Sequence, residues 1–126
     1  MANTQCYCGN GIDFKNCCEP YINGTDKATT AETLMRSRYS AYAVKAISYL
    51  WETTAPSERK HYNQADMLNW AKSNHWLKLE ILESTTYIVE FKAYYLDGSL
   101  NANIHHERSA FILENGNWYY LNGEFR

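Results

Sequence analysis

The chain has 126 residues, with twelve lysine and arginine against fourteen aspartate and glutamate side chains and a formal net charge of -2. That length suits one domain rather than two, and a near-neutral balance spread along the chain gives no electrostatic footprint for nucleic acid or for an anionic membrane. No basic start followed by an apolar run opens the sequence and no stretch approaches a membrane span, so a cytoplasmic location is expected, where thiols stay reduced.

The first feature along the chain is "CYCGNGIDFKNCC", residues 6–18, which holds all four cysteines. Zinc takes four thiolates in a tetrahedron, and two short ligand pairs joined by a loop are the usual way to supply them. Cys6 with Cys8 and Cys17 with Cys18 make such pairs, and Gly9 and Gly11 give the backbone freedom that turns this tight demand. Four thiolates on Zn²⁺ leave a charge that Lys15, within the loop, can partly offset. A disulfide is the weaker reading, because neighbouring cysteines pair only with strain and the expected compartment is reducing. A redox or nucleophilic thiol is weaker too, since it needs a base or a resolving partner rather than three more thiols. With four protein ligands the site is expected to be closed to water and free of hydrolytic chemistry. The stretch resembles the SEC-C motif, a small zinc-binding element named for the C-terminus of the SecA translocation ATPase. All four ligand positions and the Gly-x-Gly match, while Tyr7 and Asn10 stand where family members often carry Pro and Ser.

A helix is expected from Thr29, where "TTAE" sets Thr29 three residues before Glu32 as a capping box, to about Thr53, before Pro56. Met35, Tyr39, Tyr42, Ala46, Tyr49 and Leu50 recur along it at helical spacing as an apolar stripe. Arg38 falls about 60° from Met35 on the side of that stripe. Its guanidinium either snorkels out or turns inward, and inside it requires an acidic partner or an anionic ligand. A second helix is expected from about Gln64 to His75, capped by Asn63, with Met67, Trp70 and Ala71 on one face.

Beyond it the period changes from helical to alternating. "LKLEI" at 77–81 and "YIVEFKAY" at 87–94 read as half-buried strands, and Asp97-Gly98 and Asn115-Gly116 as hairpin turns. "NANIHHERSAFIL" and "WYYL" complete an antiparallel sheet of at least four strands, so helices followed by sheet give an α+β fold. In "HERS", Glu107, Ser109, Phe111 and Leu113 share one face, and His106, Arg108, Ala110 and Ile112 the other. Periodicity leaves open which face turns inward. If it is the Glu107 face, Glu107 is the natural partner of Arg38. His105 and His106 diverge on a strand and do not make a second metal site.

"LMRSRYSAY" at 34–42, "HERS" with Phe111, and "NGNWYYLNGE" at 115–124, placed after a SEC-C motif, resemble the YchJ family of small bacterial proteins. The resemblance covers nearly the whole chain. It implies a zinc-binding motif over residues 1–25 and, over 26–126, a nuclear-transport-factor-2-like domain, a curved sheet wrapped on helices into a cone. It implies zinc held by Cys6, Cys8, Cys17 and Cys18, and it brings no reaction with it. The expected function is a cytoplasmic zinc-binding interaction module that engages a protein partner through its knuckle. The alternative is a small-molecule binder or enzyme whose cavity is lined by Arg38, Tyr42, Trp70, His106 and Glu107. Whether it is an enzyme stays open, a thiol redox sensor is a third reading, and dimerisation through the sheet is expected by analogy.

Overall fold

In the computed structural model, which describes residues 5–126, helices come first and a sheet follows. The helices are α1 (Glu19–Ile22), α2 (Ala31–Val44), α3 (Ile47–Glu52) and α4 (Gln64–Ser73), with 3-10 turns at Phe14–Asn16 and Pro56–His61. The strands are β1 (His75–Ser84), β2 (Ile88–Leu96), β3 (Ala102–Glu114) and β4 (Asn117–Phe125), joined in the order β1-β2-β3-β4 with every neighbouring pair antiparallel. The α+β class expected from the sequence is the one found.

The long helix expected from Thr29 to Thr53 is two helices. Lys45 adopts a left-handed conformation with φ 63 and ends α2, and the Ala46 N–H donates to the Ala41 carbonyl at 2.8 Å. This is a Schellman-type stop, which glycine usually marks. Here a lysine occupies it, so the sequence carries no signal of the break. The N-cap also moves one residue on: the Thr30 hydroxyl accepts from the Thr33 N–H at 3.0 Å. Glu32 does not close a capping box; it pairs with Arg36 at 3.0 Å along the helix. The second helix starts where expected, with the Asn63 side chain accepting from the Asp66 N–H at 2.8 Å, but ends at Ser73 because residues from His75 are already strand.

Both turns read from the sequence join strands. Asn115 and Gly116 have φ 51 and 80, the left-handed pair that a two-residue hairpin needs. At the other turn the Asp97 carboxylate accepts from the N–H groups of Ser99 and Asn101 at 2.9 and 3.0 Å and closes a longer loop. Register shifts in β1 and between Ala110 and Phe111 in β3 break the regular pairing. Bulges of this kind bend a sheet. The concave side carries Val89, Phe91, Glu107, Ser109 and Phe111, all buried, so the Glu107 face of β3 is the inner one.

Helix α2 lies in that concavity. Leu34, Met35 and Tyr39 pack with Leu79, Val89, Phe91 and Phe111, and Cys6, Cys8 and Cys18 belong to the same apolar cluster. A smaller cluster joins Ala41, Leu50 and Met67. After α3 the backbone is stitched to β4, the Tyr120 N–H donating to the Thr53 carbonyl at 2.7 Å and the Ala55 N–H to the Tyr120 carbonyl at 2.8 Å. That stitch brings Tyr120 beside Arg38. No helix among the described residues is long and apolar enough to cross a membrane.

Candidate metal centre and cavity

The N-terminal segment folds back on itself through the Cys6 N–H, which donates to the Ile12 carbonyl at 2.8 Å, while Gly9 and Gly11 turn with φ 80 and 79. Such values are cheap only for glycine. The 3-10 turn then delivers Cys17, and Cys18 caps α1. The four sulfurs converge, each ligand atom within 4.8 Å of every other. Cys8 and Cys17 Sγ are 3.7 Å apart and Cys17 and Cys18 Sγ 4.0 Å. Sulfurs placed about 2.3 Å from a central zinc in a tetrahedron have edges of about 3.8 Å, so the donor set fits a four-coordinate metal. The separations are far beyond a disulfide bond of about 2.0 Å, and all four thiols are free.

Protons make the same point. Burial first, and then the charge of Cys8, pushes Cys17 up to about 11. Hydrogen bonding to Cys6 and Cys8 raises Cys18, while the bonds that Cys6 accepts from Cys18 and Cys8 lower Cys6. Thiolates this close cannot all ionise unless a cation sits among them. Around the sulfurs, Ser40 lies 3.4 Å from Cys6 Sγ, the Asn10 amide donates to Cys17 Sγ at 3.8 Å, and Arg36 Nη1 donates to the Cys8 carbonyl at 2.8 Å. Arg36 thus brings positive charge to the cluster from α2.

A second feature lies between the open side of the sheet, α2 and α4. A cavity of about 380 Å³ is walled by the rings of Tyr42, Trp70, Trp76, Phe91 and Phe125. Its polar groups are Arg38, His105, Glu107, Ser109 and Tyr120. Glu107 is 7% exposed and Arg38 5%, the two buried charged residues among those described. Burial raises the Glu107 carboxyl, but hydrogen bonds from His105 (2.7 Å), Ser109 (2.6 Å) and Tyr120 (2.7 Å) outweigh it and hold the group below its ordinary value. Tyr120 is raised, by burial first and then by the Glu107 charge. Gly123 of β4 makes room, because a Cβ there would collide with the Glu107 carboxylate. Another depression, of about 410 Å³, lies against α1 and β4 and is lined by Tyr21, Lys27, Glu52 and Trp118, with no buried charge.

Of the residues named from the sequence, Arg38, Tyr42, Trp70 and Glu107 line one cavity, and Cys6, Cys8, Cys17 and Cys18 form one cluster. His106 is not in the cavity. It faces the outer side of the sheet, where its Nε2 lies 2.7 Å from Glu90, next to Arg108 bridging Glu83 and Glu90. The period of two along a strand puts His105, not His106, on the Glu107 face. That alternation was the available signal, and extending the Glu107 face one step toward the N-terminus would have found His105. Nor is Glu107 the ion-pair partner of Arg38. Arg38 Nη1 donates to the Leu50 carbonyl at 2.9 Å and the Thr53 hydroxyl at 2.7 Å, and its guanidinium stacks 4.7 Å from the Tyr120 ring centre. Tyr120 therefore stands between the two charges, supplied by a strand far along the chain that nothing near Arg38 in sequence announces.

Comparison with known proteins bears on both features. A model of the middle, nuclear-transport-factor-2-like domain of YchJ matches residues 30–123. A UPF0225 protein of Geobacter sulfurreducens is 40% identical over 125 residues, spanning 94% of this chain and 77% of that protein. The UPF0225 protein YchJ of Shigella dysenteriae is 35% identical over 124 residues, spanning 94% of this chain and 81% of its own length. The solution structure of a SEC-C motif containing protein from Rhodopseudomonas palustris aligns with a TM-score of 0.87 at 37% identity, covering 94% of this chain and 96% of that one. The crystal structure of a SEC-C motif containing protein from Psychrobacter arcticus aligns with a TM-score of 0.78 at 28% identity, covering 97% and 81%. A cysteine cluster suited to a metal, set beside a nuclear-transport-factor-2-like cone and matched at this identity along nearly the whole chain, makes this protein a member of the YchJ (UPF0225) family.

Proposed function

We propose that the four cysteines hold one zinc ion as a structural cross-link and that the protein acts by binding a small molecule in the cavity of its cone. The observation that carries this reading is the burial of a guanidinium and a carboxylate on the wall of one cavity, with a histidine beside them. Buried charges are costly and a fold gains little stability from them, whereas a ligand site needs a few fixed polar groups among apolar walls, in a volume of about 300–1,000 Å³. Zinc at Cys6, Cys8, Cys17 and Cys18 would supply cross-linking, since four thiolates leave no open position for a substrate. A cytoplasmic setting suits thiols that must stay reduced.

The test has two arms on the purified full chain. Elemental analysis is expected to give one zinc per chain, lost on Cys8→Ser substitution. A ligand screen followed by calorimetry is expected to give binding that Ala93→Leu, which fills the cavity from β2, abolishes while the protein stays folded. Folded protein without zinc would remove the first half of the reading, and ligands indifferent to Ala93→Leu the second. A second reading, an interaction module, draws on Tyr7 and Ile12, each 46% exposed on the knuckle. It predicts that Tyr7→Ser with Ile12→Ser removes a partner in a pull-down without loss of zinc.

A further inference from the structure

We infer that the cavity takes an organic carboxylate with an apolar body, gripped by the free edge of Arg38. This rests on reading the cavity as a ligand site. Arg38 is held from one side only. Its Nη1 is used by Leu50, Thr53 and, at 3.5 Å, Thr54, and its face lies on Tyr120. Its Nε and Nη2 donate to nothing among the described residues, yet no buried side-chain nitrogen or oxygen there lacks a partner. Those two N–H groups therefore open on the cavity that Arg38 lines. They form the parallel fork that matches the two oxygens of a carboxylate.

No carboxylate of the protein fills that fork. Arg36 and Arg126 each have one, in Glu32 and Glu124, and Arg108 has two, in Glu83 and Glu90. Arg59 donates to the carbonyls of Trp51, Glu52 and Thr54. Glu107 is already satisfied by His105, Ser109 and Tyr120. Among the described residues Arg38 is the one arginine that is buried and lacks an acidic partner.

The rest of the cavity defines the remainder of the ligand. Trp70 packs edge-on against Trp76, with centroids 5.7 Å apart, and Tyr42 tilts against Trp76 at 5.8 Å, so an aromatic wall faces the ligand and the part of it beyond the carboxylate is apolar. The Glu107 carboxylate accepts a hydrogen bond from the Nε2–H of His105, and in that neutral tautomer Nδ1 is an acceptor with no partner among the described residues. A hydroxyl on the ligand can donate to it.

Calorimetry with the full chain tests this using 3-hydroxybenzoate, its methyl ester, benzoate and 3-hydroxybenzylamine as probes. The acid is expected to bind at least about tenfold more tightly than the ester, because the ester cannot fill the fork with charge. Arg38→Lys is expected to remove most of that preference. Benzoate is expected to bind several-fold more weakly than 3-hydroxybenzoate in the wild type and equally in His105→Phe. If Arg38→Lys does not fold, the ratios of acid to ester and of acid to amine in the wild type carry the decision. Equal binding of acid and ester, or tighter binding of the amine, overturns the carboxylate inference while the cavity stands as a ligand site. Absence of binding by every probe overturns the carboxylate inference, and the wider ligand screen then decides the cavity reading separately.

Discussion

Glu107 stays ionised inside the fold because three donors converge on it, and its pH behaviour follows. Its folded value lies below the ordinary 4.5, so the carboxylate contributes stability that is fully present above the unfolded value and is lost as pH falls through the folded one. Urea unfolding of Glu107→Gln against wild type is expected to show a deficit of about 1–3 kcal/mol at pH 7. That deficit should shrink below pH 4.5, where the wild type loses the same contribution. A constant deficit across the range would mean that shape rather than charge sets it. Gly123 is the other side of the same arrangement. Gly123→Ala is expected to cost about 1–3 kcal/mol by driving a methyl group into the carboxylate, and the double variant with Glu107→Ala is expected to cost less than the two single changes summed. At this scale the sequence offered Arg38 and Glu107 as the informative charges, and both are buried at the cavity. It did not offer Tyr120 or Gly123, which reach Glu107 through the pairing of β3 with β4.

At the scale of elements, strands and turns were legible because alternation and Asn-Gly are local signals. The helix ends were less so. The "TTAE" pattern fits two caps in adjacent positions, and only the geometry distinguishes them. Thr30→Ala is expected to lower stability by about 1 kcal/mol and Thr29→Ala to change it little, a pair that thermal unfolding resolves. The stop at Lys45 was invisible, since nothing in a lysine announces φ 63. It persists because α3 must turn back to place Leu50 against Ala41 and Met67 and to bring Thr53 to the Arg38 guanidinium. Tertiary packing there outweighs a local cost of about 1–2 kcal/mol for a left-handed residue.

For the whole molecule, the knuckle and the cone share one apolar cluster, with Cys6, Cys8 and Cys18 packed among residues of α2 and the sheet. Loss of the metal should therefore be felt beyond the first eighteen residues. Metal-loaded protein is expected to melt in one transition, and a chelator to lower its midpoint while broadening the amide spectra of α2 and β1 as well as of the knuckle. Broadening confined to residues before α2 would show the knuckle to be an independent unit. By itself the sequence determined the cysteine cluster, the α+β order and the hairpins, because each depends on residues close together in the chain. The tertiary structure alone decided which histidine faces inward, that a tyrosine rather than an ion pair joins Arg38 to Glu107, and that a guanidinium edge is left open to the cavity. Those are contacts between segments far apart in sequence, set by strand register and by the seating of α2 in the curve of the sheet.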